Sequence, residues 1–142
     1  MFLDNFEIRA CYSDTDAAGV IHHARLLEMF ERSRTEWLRR IGADPKSLSQ
    51  ESNLLLVIRE VNLQFHAPGA LEDLMVFSHL VIKRGNSQFV LEQKAFRSLP
   101  IQNKDLGDPQ LLCTGTFHLV CVSTATMKSH PLPNNIPEPS PL

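Results

Sequence analysis

The sequence contains no uninterrupted apolar run near the roughly 20 residues that a membrane-spanning helix needs, no excess of either charge sign, and no closely spaced cysteine pair. Fourteen Lys and Arg stand against 16 Asp and Glu, a formal charge of -2. No global basic field therefore draws the chain toward nucleic acid or anionic lipid. The three cysteines, Cys11, Cys113 and Cys121, are odd in number and lack the CxxC spacing of a metal knuckle or redox motif, so no metal site is expected. Cys113 and Cys121 share a parity in an expected strand and read as small buried thiols. The opening MFLDNFEIRA has no basic segment ahead of an apolar run. The expectation is a cytoplasmic protein without an integral membrane segment.

With 142 residues and 43% hydrophobic composition, the chain has material for one core. The expected division is one domain over 1–130 followed by a Pro-rich, loosely held tail over 131–142. FEIRACY alternates as a strand, with Phe6, Ile8 and Ala10 on one face. HARLLEMFERSRTEWLRRIG follows as a helix carrying Leu26, Leu27, Phe30, Ser33, Trp37, Leu38 and Ile41 on one stripe, with Gly42 as its stop. Glu28 with Arg32 and Glu36 with Arg40 are spaced as i,i+4 pairs on its outer side. DPKSLSQESN is a connector or short helical turn, Pro45 disfavouring helical backbone at Asp44.

Four more strands follow. LLLVIREVNLQFHA places Val61, Leu63 and Phe65 on one side. MVFSHLVIK and FVLEQKAFRS flank an RGNSQ hairpin in which Gly85 and Asn86 are candidates for left-handed backbone. LLCTGTFHLVCVS closes the set, with Thr114 and Gly115 marking a bulge or a close backbone approach. The SLPIQNKDLGDPQ connection is a projecting hairpin loop. A single long helix with successive strands predicts an α+β architecture, the helix lying across the concave face of a curved antiparallel sheet.

Chemistry concentrates in the segment from Tyr12 to His23. Asp14 suits a turn or cap. Asp16 stands between the strand end and Gly19, which lets the chain turn back. A loop carboxylate beside a helix N-terminus offers a base or nucleophile together with main-chain donors aimed at a developing oxyanion. If the helix starts around His23, that residue's amide can polarise a carbonyl while Asp16 approaches from the other side. His22 and His23 are adjacent, which on a helix sends their side chains in different directions and weakens any two-histidine metal site. On residue chemistry alone, loop carboxylates have many structural uses, as helix caps and Asx turns, and the structural reading comes first.

The stretch YSDTDAAGVIHHARLLEMFERSRTEWL resembles the signature of the YbgC-like branch of the hotdog thioesterases, related to 4-hydroxybenzoyl-CoA thioesterase. The resemblance resumes in VIREVNLQFHAPGALEDLM, IKRGNSQFVLEQKAF and MKSHPLPNNI, covering nearly the whole chain in order. It implies a hotdog fold and hydrolysis of acyl-CoA, with short aliphatic or aromatic acyl groups. Coenzyme A would be part of the substrate, and no separate cofactor is implied. An acyl carrier protein is the alternative thioester carrier. It further implies a homodimer or dimer-of-dimers tetramer with active sites at subunit contacts, and a bacterial cell-envelope and phospholipid setting for a cytoplasmic protein that can be peripheral to the inner membrane.

By the resemblance, Asp16 matches the catalytic carboxylate, Gly19 the turn glycine, and His23 the position whose amide polarises the substrate carbonyl. Glu31 falls at an acidic helix position that can look into an acyl pocket. Lys83, Arg84 and Ser87 are expected to meet the coenzyme A phosphates, cations and donors being suited to a rim. Two departures stand out: His22 occupies a position commonly aromatic in relatives, and Gly69 and Leu71 alter a loop whose acidic ending, Glu72 and Asp73, is retained. Arg59 and His66 are further contributors whose facing the sequence leaves open. The rival functions are a hotdog dehydratase, whose His-Asp helix arrangement is not apparent, and a noncatalytic acyl-thioester-binding protein.

Overall fold

The computed structural model describes residues 6–98 and 109–139. In chain order these form β1 (Glu7–Arg9), a 3-10 turn (Tyr12–Asp14), α1 (His23–Arg40), α2 (Pro45–Ser52), β2 (Leu54–Phe65), β3 (Leu74–Arg84), β4 (Gln88–Arg97) and β5 (Gln110–Ser123). The strands make one antiparallel sheet in the order β1-β3-β4-β5-β2. Strand β2 therefore leaves the helices only to reach the edge opposite β1.

Alternation along β3, β4 and β5 places Phe77, His79 and Val81, then Phe89, Leu91, Gln93 and Ala95, then Cys113, Phe117, Leu119 and Cys121 on one face. Helix α1 covers that face. Its Phe30 meets Phe77 edge-on at 5.7 Å and Phe117 at 5.5 Å, and Trp37 stacks on His79 at 6.0 Å and tilts against Phe89 at 6.3 Å. Each fully buried aromatic or aliphatic side chain of this kind contributes about 1.5–3 kcal/mol. The inward stripe is Leu26, Met29, Phe30, Ser33, Arg34, Trp37 and Leu38. Leu27, expected in that stripe, is exposed; Met29 and Arg34 turn inward where the apolar pattern did not place them.

Gln93 and Arg34 explain that inversion. Gln93 is 0% exposed and Arg34 7%. The Gln93 amide donates to the Phe30 carbonyl and the Ser33 hydroxyl, both at 3.0 Å, and accepts from Arg34 Nη1 at 2.9 Å. The Arg34 guanidinium also lies 4.8 Å from the Phe117 ring centre, an attractive placement for a cation. Burial lowers its pKa, and Glu31 acts in the opposite sense. Helix and sheet are thus tied by directed hydrogen bonds inside an otherwise apolar layer, which fixes the axial position of α1.

The 44–52 segment is a full two-turn helix rather than a connector. Asp44 caps it by accepting from the Ser47 amide at 3.0 Å, Pro45 occupies its first turn, and Asn53 ends it at φ 56. On the outer face of α1, ion pairs join Arg25 to Glu28 and Glu36 to Arg39 at i,i+3 spacing. Gly42, at φ 81, terminates α1 as expected. The 84–88 turn differs: neither Gly85 nor Asn86 enters left-handed backbone. In β5 the extra residue falls at Leu112, between the pairs Ala95–Cys113 and Phe96–Leu111. Gly115 marks a close approach, since a Cβ there would lie 2.5 Å from the Phe117 ring. Most of the expected 98–110 loop lies outside the described residues.

The Pro-rich tail is not loosely held over its described length. Leu132 and Ile136 join the core cluster. The Leu132 amide donates to the Asn86 carbonyl, Arg84 Nε to the Ile136 carbonyl and Asn135 Nδ2 to the Ile41 carbonyl. Proline limits the conformations the unfolded tail can take, so docking it costs less entropy than its composition suggests. Ile136→Ala is expected to lower stability in urea unfolding by about 2–5 kcal/mol; a loss below about 0.5 kcal/mol would mean the tail is superficial.

All three cysteines are free, with Cys113 and Cys121 buried and Cys11 exposed. Burial pushes the Cys113 thiol up to about 11 and raises Cys121 as well. Both remain protonated at neutral pH, and only the thiolate is the nucleophile. Native protein at pH 8 should therefore react with a thiol-specific reagent at Cys11 alone, with the other two responding after denaturation. Peptide mapping that finds Cys113 or Cys121 labelled in folded protein would contradict this.

Candidate active site

The segment joining β1 to α1 is built from short-range main-chain closures. The Asp14 carboxylate accepts from the Cys11 amide at 2.9 Å, which makes it the turn residue its position suggested. A bridge between Thr15 and Ile21 then closes the loop over residues 16–20. Inside it, Asp16 Oδ1 accepts from the Ala18 amide at 2.9 Å and the Val20 amide at 3.2 Å. The Asp16 carbonyl accepts from Gly19, which sits at φ 78, a conformation that costs other residues roughly 1 kcal/mol or more. Among the described residues the second carboxylate oxygen, Oδ2, has no hydrogen-bond partner, so one oxygen holds the loop and the other is available for chemistry.

The same loop is pinned from outside. Val20 bridges Ala70, the Ile21 amide donates to Gly69, and the Leu71 amide donates to Gly19. Asp73 Oδ2 accepts from the Ala70 amide and from Arg97 Nε, each at 2.8 Å, while Arg97 also reaches the Pro68 carbonyl. Glu72 takes left-handed backbone at φ 72. The altered loop therefore uses its acidic ending as a clamp. Gly69 permits the closest contact, because a Cβ there would lie 2.6 Å from Ile21 Cδ1.

Helix α1 begins at His23 with His22 as its N-cap in extended backbone (φ -67, ψ 136). The His22 amide donates to Asp14, and His22 Nδ1 accepts from the Ala24 amide at 3.1 Å. Among the described residues the His23 amide has no acceptor, as expected for a first-turn donor. Because His22 is not helical, the two imidazoles do not diverge as the sequence suggested; they stack at 4.4 Å. No cluster of three or more His, Cys, Asp or Glu side chains among the described residues is arranged to hold a metal.

Asp16, His22 and His23 line one cavity of about 540 Å³, closed on its apolar side by Val20, Ile21, Leu26, Phe65, Met75 and Leu112. His66 is also on its wall, its Nε2 3.0 Å from Thr114 Oγ1. Of the sequence-predicted residues, Asp16 and His23 are thus brought together. Lys83, Arg84 and Ser87 are not: they lie on the β3–β4 hairpin, eight residues along β3 from Met75, or roughly 25 Å at strand rise. Arg84 is further committed to the tail, donating to the Ile136 and Pro133 carbonyls, and also to the adjacent Gly85 carbonyl in the hairpin. Glu31 is exposed and faces two other surface depressions. Arg59 reaches Gln88 at 3.4 Å. The apolar wall carried no sequence signal of its own, because its residues come from five separate segments.

A thioesterase superfamily model matches residues 18–99, more than half of the chain and including the first turn of α1 and the clamped 66–73 loop. The chain belongs to the thioesterase superfamily. Within it the chain is YbgC-like: it is 31% identical over 137 residues to the acyl-CoA thioesterase YbgC of Haemophilus influenzae, covering 94% of this chain and 93% of that one. It is 29% identical to the acyl-CoA thioester hydrolase YbgC of Escherichia coli O157:H7, covering 94% and 92%. The probable thioesterase of Bartonella henselae superposes with a TM-score of 0.79 at 26% identity, covering 93% of this chain and all of that one. The 4-hydroxybenzoyl-CoA thioesterase of Pseudomonas sp. strain CBS-3 superposes with a TM-score of 0.78 at 17% identity, covering 90% and 91%. The curled sheet with α1 against it is thus the hotdog fold of this superfamily. No helix among the described residues is long and apolar enough to cross a membrane.

Proposed function

We propose that this thioesterase hydrolyses acyl-CoA thioesters to the free acid and coenzyme A, with Asp16 and the His23 amide as its reacting pair. The observation that carries the reading is that Asp16 and His23 line one cavity, Asp16 with a carboxylate oxygen and His23 with a main-chain amide that have no partner among the described residues. In one route, Asp16 Oδ2 takes a proton from water as the oxygen adds to the thioester carbon. The His23 amide stabilises the oxyanion, and collapse expels the thiolate, which receives the proton. In the other, Oδ2 attacks directly, expelling thiolate and leaving an anhydride that water opens. The apolar wall suits a short aliphatic or aromatic acyl group. No cofactor enters either route.

The site is completed by a second copy of the chain. Helix α1 covers β3 to β5 but stops short of β2, leaving Ile58, Val61 and Phe65 exposed by 42%, 39% and 57% on the helix side of an edge strand. Open strand edges with apolar side chains call for a partner. Antiparallel pairing of two β2 strands about their midpoint, near Arg59 and Glu60, brings the Leu54 end of one copy beside the Phe65 end of the other. The β3–β4 hairpin of one subunit, with Lys83, Arg84 and Ser87, then lies toward the cavity mouth of its partner, where the coenzyme A phosphates would sit. Lys83, the exposed cation, carries more of this role than the tail-bound Arg84. Such pairing reconciles the 25 Å separation within one chain.

Asp16→Asn keeps an Oδ1 acceptor for the Ala18 and Val20 amides and removes the charge. Thiol release from short aliphatic and aromatic acyl-CoAs should fall by about 10²–10⁴ with unchanged unfolding; turnover within about twofold of wild type would sink the assignment. Acyl carrier protein substrates assayed in parallel distinguish the carrier. Val61→Lys should convert a species of at least twice the 16.1 kDa chain mass to monomer in light scattering. It should raise KM for acyl-CoA, whereas an unchanged mass would exclude the β2 edge as the contact.

A further inference from the structure

The N-cap of α1 is an imidazole acting as a hydrogen-bond acceptor, and this has a chemical consequence that a Ser, Asp or Asn cap would not. His22 Nδ1 accepts from the Ala24 amide at 3.1 Å. Only an unprotonated Nδ1 can do so, which places the ring proton on Nε2. His22 engages the Ala24 amide, the neighbouring His23 amide has no acceptor among the described residues, and the His22 ring stacks on the His23 ring at 4.4 Å beside the cavity that both residues line. Once protonated, Nδ1–H would point at the Ala24 N–H, donor against donor, and a full positive charge would stand at the positive end of the helix. The ring would have to leave the cap and unstack.

We propose that His22 is a positioning residue for the oxyanion donor, effective only while its Nδ1 is unprotonated, so that turnover depends on the protonation of the cap. The inference rests on the reading of Asp16 and the His23 amide as the reacting pair. The titratable groups around His22 are His23, stacked on it, and Asp16 and His66 on the same cavity wall. Asp14 is adjacent through its carbonyl, which accepts the His22 amide, while its carboxylate is turned to Cys11.

His22→Asn supplies an acceptor to the Ala24 amide that does not titrate; His22→Phe supplies none. Within each protein, kcat for one acyl-CoA is compared at about pH 8 and pH 5.5, a window that spans the ordinary imidazole charge change. Asp16, His23 and His66 are retained in all three proteins, which differ only at position 22. Loss of a cap is worth about fivefold, so the wild-type ratio should exceed that of His22→Asn by about that factor. The His22→Phe ratio should match His22→Asn, with a lower kcat at both pH values and KM little changed. Equal ratios in wild type and His22→Asn would overturn the proposal. Nitrogen-15 spectra of wild-type imidazoles should show His22 with Nε2 protonated and Nδ1 bare at pH 8; the opposite tautomer would overturn it without reference to activity. A wild-type protein that releases no thiol would refute the reacting pair, while the spectra would still decide the state of the cap.

Discussion

The layer formed by Phe30, Ser33 and Arg34 against Gln93, Phe77 and Phe117 is the constraint on which the remaining structure depends. Apolar packing alone would let a helix slide along a sheet face at small cost, because dispersion contacts are individually weak and interchangeable. The Gln93 amide removes that freedom by bonding the Phe30 carbonyl and Ser33 hydroxyl at 3.0 Å. A one-residue slip of α1 would strand a fully buried amide, a loss of about 1–3 kcal/mol. The first turn of α1 is consequently held at one place relative to the start of β3 and the end of β2, where the cavity lies.

From that fixed point the site is assembled by short loops. The 16–20 loop is anchored to α1 through Asp14 and His22, and to the sheet through Gly69, Ala70 and the Asp73–Arg97 ion pair at 2.8 Å. Each clamp is a main-chain or charge-assisted bond with defined geometry, so the carboxylate of Asp16 is held by rigid supports on both sides. Preorganisation of this kind is what the proposed oxyanion site would need, since its donors must be in place before charge develops. One helix of this length spans three strands, and it leaves Ile58, Val61 and Phe65 of the fourth long strand, β2, exposed.

Much of this was legible in the amino-acid order. The helix start at His23, its stop at Gly42, the β3–β4 hairpin and the turn role of Asp14 follow from local stereochemistry, which near neighbours determine. Asp16 is singled out by its place before a turn glycine and a helix start together with the family resemblance, since a loop carboxylate alone has many structural uses. The inward turn of Arg34 was illegible, because a charged residue is buried only where a distant partner, here Gln93 fifty-nine residues away, satisfies it. Leu27 was misplaced for the complementary reason: periodicity marks a stripe but not its edges. The tail was misread because proline content reports local stiffness and says nothing of whether Leu132 and Ile136 find a cavity.

The sequence by itself determined the family and the order of elements, which are encoded within spans of a few residues or in motifs kept in register along the chain. Tertiary structure decided which residues share the cavity, that His22 caps α1 through Nδ1, that the tail completes the core, and that Lys83, Arg84 and Ser87 lie at the opposite end of the sheet from Asp16. Those facts depend on strand order and on the satisfaction of buried polar groups across long separations, and no local pattern carries that information.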